Sequence, residues 1–96
     1  MKTMQLWGAA GALLLVSTCS AVAQDAKKFV LDAIRGNLAE ISMGQLAQSK
    51  GQSEGVRSFG KTLETDHSAA NNKAIVAAQA VGVQTPSEPN AKQKKE

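Results

Sequence analysis

The sequence predicts an all-α protein: an apolar leader, then a two-helix antiparallel hairpin. Three observations predict it. No proline interrupts the chain before Pro86. Apolar residues recur at helical spacing on both sides of one short break. That break, near Gly51–Ser53, holds about three residues, and so short a connection forces antiparallel neighbours.

The leader comes first. Met1-Lys2-Thr3 carries one positive charge, and an apolar run follows from Leu6 to Val16, with Trp7 and Leu13-Leu14-Leu15 inside it. Ala21-Val22-Ala23 then precedes Gln24-Asp25. A charged start, an apolar middle and small residues beside the cut make a cleavable secretory signal peptide over residues 1–23. Cleavage is expected after Ala23, with export to the periplasm. The competing reading is an uncleaved anchor, but a span needs about 20 apolar residues. A third reading is a lipoprotein held at the membrane through Cys19, for which Thr18 is a poor preceding residue.

The hairpin is expected over residues 24–86. Its first helix runs from Asp25 to Lys50, with Phe29, Val30, Ala33, Ile34, Leu38, Ile41, Met43, Leu46 and Ala47 as a broad apolar face. Gly51 is its stop and Ser53 the N-cap of the next helix. The second helix runs from Glu54 to Val81, with a stripe of Val56, Phe59, Leu63, Ala70, Ala74, Ala77 and Val81. Gly82 ends it and Pro86 reinforces the stop. Residues 87–96 are polar, with almost nothing to bury, and read as a solvated tail.

Composition narrows the function. Removing 23 of 96 residues leaves 73, with ten Lys/Arg, eight Asp/Glu, two phenylalanines as the only aromatics and no cysteine. A net charge of +2 is too mild for nucleic acid. A cysteine-free chain of this length has no disulfide staple, which favours a partner, a second copy or a metal. Ser and His occur without a nucleophile elbow, so no residue is assigned a catalytic role.

Polar groups fall among the small and apolar positions. Glu40 has Ala33, Gly36, Met43, Gly44 and Ala47 as helical neighbours; His67 has Gly60, Leu63, Ala70 and Ala74, with Asn71 one turn on. Folding the chain about Gln52 sets Glu40 opposite Glu64, with His67 about one turn away. Glu64 and His67 form Glu-x-x-His, whose i and i+3 side chains share a helix face. Ferritin-like di-metal bundles use two such motifs with two further Glu. Glu40, Glu64 and His67 are half of that set, and a homodimer holding iron or manganese completes it. The plainer expectation is a structural polar cluster of Glu40, Asp66, His67 and Asn71, in which Glu40 and His67 pair and Asp66 orients the imidazole. Gly36, Gly44, Gly60 and Ala33 read as packing positions.

These residues resemble the exported bacterial family catalogued as domain of unknown function 4142. The resemblance lies in Gly36-Asn37-Leu38-Ala39-Glu40, Gly44-Gln45-Leu46-Ala47, Val56-Arg57-Ser58-Phe59-Gly60, Asp66-His67-Ser68-Ala69-Ala70-Asn71 and Gly82-Val83-Gln84-Thr85-Pro86. It implies a ferritin-like helical fold with four main helices, of which this chain spans about half. The tail then looks like the start of a third helix. A truncated product, or a hairpin that pairs with itself into a four-helix bundle, is expected. The resemblance brings no defined activity. The leading expectation is a non-enzymatic exported protein with an interaction or envelope role. The alternative is the homodimeric di-metal carboxylate protein, binding or oxidising metal.

Overall fold

A computed structural model describes the backbone of residues 2–89 and the side chains of residues 20–89. The side chains of residues 2–19, Cys19 and most of the expected leader among them, and the whole of residues 1 and 90–96 lie outside the described residues.

The described residues form two helices and no strand: α1 spans Lys2–Lys50 and α2 spans Glu54–Ala80. The hairpin, its three-residue connection and both helix ends around it agree with the sequence. The start of α1 differs from the expectation. The helix does not begin at Asp25 but runs unbroken through Ala21-Val22-Ala23. The physical reason is composition: alanine, leucine and glutamine are strong helix formers, and neither Pro nor Gly interrupts the join. At about 1.5 Å per residue, α1 is about 73 Å long and α2 about 40 Å. Much of the N-terminal part of α1 therefore extends past the pair. Among the described residues, no helix is long and apolar enough to cross a membrane.

The ends are built from local chemistry. Ser53 has extended backbone angles, φ −114° and ψ 154°, and its side chain accepts a hydrogen bond from the Val56 amide at 3.1 Å. That satisfies one of the orphan N–H groups at the start of α2. Arg57 Nη1 donates to the Gly51 carbonyl at 3.0 Å, closing the turn from the other side. At the far end the Gly82 amide donates to the Gln79 carbonyl at 3.2 Å and the Val83 amide to the Ala78 carbonyl at 3.0 Å. Gly82 has φ +73°, so this is a Schellman ending at a left-handed position that favours glycine. On α1, Lys28 Nζ and Asp32 Oδ2 meet at 2.9 Å on an exposed surface. The hydrogen bond to Asp32 holds the Lys28 ammonium above its ordinary pKa and holds the Asp32 carboxyl below its own.

The helices touch through glycine. Gly44 and Gly60 are both buried, and each backbone lies against the other. A Cβ added at Gly44 would sit 2.6 Å from the Gly60 carbonyl oxygen; one added at Gly60 would sit 2.6 Å from the Gly44 carbonyl oxygen. Gly36, expected as a third close-packing position, is not one: a Cβ there meets nothing within 4 Å. At 100° per residue Gly36 lies about 80° around α1 from Gly44, off the line of contact.

The contact also sets the register. Gly44 faces residues 60–64 and Gly60 faces residues 44–48. Residue i of α1 is therefore level with about residue 106 − i of α2. Glu40 is level with Asp66 and His67, not with Glu64 as a fold about Gln52 gives. The inner line of α2 is rotated as well. Gly60, Asn71 and Ala78 are its buried residues, whereas Val56, Phe59, Ala70 and Ala77 from the expected stripe are exposed. The close approach of Gly44 and Gly60 puts Gly60 on the line facing α1 and turns the apolar stripe to one side. Ile34 and Ala78 are the fully buried apolar residues of the hairpin.

Candidate functional site

The polar residues singled out in sequence are split across the glycine contact. Glu40 falls about 40° to one side of Gly44 on α1, and Gln48 about 40° to the other. On α2, His67 falls about 20° to one side of Gly60 and Glu64 about 40° to the other. In an antiparallel pair those sides correspond. Glu40 and His67 share one side, Gln48 and Glu64 the other.

Glu64 is held by Gln48. Gln48 Nε2 donates to Glu64 Oε2 at 2.9 Å and to the Gly44 carbonyl at 3.1 Å, with a longer contact to the Gly60 carbonyl at 3.4 Å. Gln48 is the residue that sequence reasoning missed. It looks like an ordinary surface glutamine near a helix end, and nothing in the one-dimensional pattern aims it at α2. Its amide ties the carboxylate to both glycine carbonyls at the point of closest approach. Replacing Gln48 with alanine is expected to cost about 1.5 kcal/mol of stability, the lower end of the range for a hydrogen bond to a charged group, because Glu64 is only part-buried. A urea titration of Gln48→Ala with an unchanged midpoint would show the bridge to be idle.

His67 is half-buried, and its Nδ1 lies 2.9 Å from the Leu63 carbonyl one turn back. Only a donor satisfies a carbonyl, so Nδ1 carries the proton and Nε2 is left as an acceptor in the neutral ring. The expected Glu40–His67 pair is not formed, because no ion pair joins them among the described residues. Asp66 does not orient the imidazole either. It is exposed, since a neighbouring helical residue points about 100° away, and the backbone performs that task instead.

Asn71 is 9% exposed, and its Oδ1 has no hydrogen-bond partner among the described residues. It does not join a network with His67. Within one chain, no group of three His, Cys, Asp or Glu side chains is placed to hold a metal ion among the described residues. Glu40, Glu64 and His67 therefore do not make a metal set in a single hairpin, because the glycine contact separates the two carboxylates.

The side carrying Glu40 and His67 is also the apolar side. Phe29 is 73% exposed, Phe59 61% and Met43 47%. Phe59 sits near the loop, Met43 and half-buried Leu63 come next, then Glu40 and His67. Gly36, Ala70, Ala33 and Ala74 form a shallow stretch beyond them, with Phe29 at its far end.

The family model described as a domain of unknown function (DUF4142) matches residues 15–96. The chain belongs to the DUF4142 family. The match takes in the whole described hairpin, so the glycine contact, the Gln48–Glu64 bridge and the apolar side are features of a DUF4142 chain. No curated protein and no solved structure matches it.

Proposed function

We propose that this DUF4142 chain is exported to the periplasm and works there without catalysis, as a helical protein that associates through one side of its hairpin. The observation that carries the reading is that side itself. Two phenylalanines and a methionine stand in water there, on a hairpin with little apolar surface buried inside it. Several large apolar residues exposed on one side mark an interaction site more often than an isolated exposed residue does. Export rests on the charged start, the apolar run and Ala21-Val22-Ala23.

The test is photocrosslinking in cells expressing the full chain. A benzoylphenylalanine placed at Phe59 is expected to give crosslinked adducts, and one placed at Lys61, on the other side of α2, is not. Adducts at neither position, or equally at both, would overturn the reading. The same cells report export. The species recovered from the periplasm should begin at Gln24; a lipid-bearing product beginning at Cys19 or an intact Met1 start would contradict the expected cut.

The di-metal carboxylate protein is the second reading. It is favoured by His67, whose Nε2 is left as a ligand atom by the Nδ1 bond to a carbonyl, an arrangement common in metal-bound histidine. It needs two hairpins, and it needs Glu64 released from Gln48. Iron or manganese bound in proportion to chain is the measurement that would raise it above the first.

A further inference from the structure

The reading of the apolar side as an interaction surface leaves its occupant open. We propose that the occupant is a second copy of this chain, laid on the same side about a two-fold axis parallel to the helices. This rests on the association reading above and adds a partner and a geometry to it.

A two-fold axis in that direction keeps every residue at its own height along the bundle. It lays α1 of each copy over α2 of the other, so that all four neighbouring helix pairs run antiparallel. The contact is isologous, and each level meets itself with α1 and α2 exchanged. The observed register therefore states what meets what.

Four levels are complementary. Phe59 is level with Ala47, and Phe29 with Ala77, so each exposed ring meets an alanine. Met43 is level with Leu63, two apolar chains of similar size. Gly36 is level with Ala70, and no side-chain or backbone atom fills the space where a Gly36 Cβ would stand. That level admits the backbone of an approaching helix.

Charge points the same way. Glu40 and His67 lie at nearly one level, half-buried, on opposite helices and without an ion pair in the single hairpin. Exchange of α1 and α2 sets the Glu40 carboxylate of each copy over the His67 imidazole of the other. The Nδ1–H of His67 is committed to the Leu63 carbonyl, so Nε2 is the atom turned to the carboxylate, and only its N–H form donates there. A two-fold through the same level but across the helices would instead set Glu40 over Glu40. Like charges at an interface centre select against that arrangement.

The experiment is native mass spectrometry, with circular dichroism, on protein recovered from cells expressing the full 96-residue chain. A dimer at micromolar concentration is expected. Glu40→Lys and His67→Glu are each expected to weaken it by about tenfold or more, and the doubly exchanged Glu40→Lys/His67→Glu protein to recover most of the loss. Both sites are on the surface of the single hairpin, so helicity at high concentration should be retained. A monomer, folded or unfolded, overturns the proposal. So does a dimer unchanged by either single substitution, because it would use another surface. If Phe59 crosslinks in cells to a product other than twice the chain mass, the interaction side stands and the second copy falls.

Discussion

Gly60→Ala is expected to destabilise the hairpin by about 1–3 kcal/mol, the usual cost of forcing a well-packed contact apart. Two effects oppose each other. Alanine is the better helix former by about 1 kcal/mol, which favours the variant. Against this, the new Cβ would lie 2.6 Å from the Gly44 carbonyl oxygen and 2.8 Å from the Ala47 Cβ. Neither neighbour is the end of a flexible chain, so the helices themselves must separate. Separation also lengthens the contacts from Gln48 to Glu64 and to the Gly60 carbonyl. The clash therefore wins. Gly55 is the control, because a Cβ there meets nothing within 4 Å. Gly55→Ala is expected to be neutral or stabilising by up to about 1 kcal/mol. Urea denaturation of both variants decides the matter. Equal shifts in the same direction would mean that the glycine contact does not set the distance between the helices.

Asn71→Leu is expected to act in the opposite sense. The side-chain carbonyl oxygen of Asn71 is buried with no partner among the described residues, and such a group costs about 1–3 kcal/mol of desolvation. Leucine has nearly the shape of asparagine and no polar atoms. The variant is expected to raise stability by about 1–2 kcal/mol, at an unchanged dependence on denaturant. A loss of stability on substitution would show that the amide is hydrogen-bonded in solution, by a water molecule or a partner. The position lies on the inner line of α2, away from the exposed phenylalanines, so the proposed association through the apolar side should be unaffected by the change.

Much of this hairpin was legible before any coordinates, and the parts that were share one property. They depend on interactions within a few residues. Ser53 caps α2 because its own hydroxyl reaches the amide three residues on, and Gly82 ends it because the left-handed position lies in the same turn. A three-residue connection makes the helices antiparallel wherever they are found. The start of α1 was less well placed, since the boundary expected there is one of processing and not of backbone preference.

The candidate site was legible in its residue types but not in its arrangement. Glu40, Glu64, His67 and Asn71 do lie at or beside the helix contact. Which of them meet was decided by the Gly44–Gly60 approach, and glycine is silent in any hydrophobic pattern. That approach sent Glu64 to Gln48, put Glu40 on the far side of the seam and left Asn71 Oδ1 buried with no partner among the described residues. It also turned Phe59 and Val56 outward, where the apolar stripe alone placed them inward. Periodicity finds an apolar arc but cannot say what covers it. The sequence by itself determined two helices, their caps and their antiparallel sense, because those are local. Only the tertiary structure decided which face of α2 is inside and which apolar side is left exposed, because that choice belongs to the contact between backbones.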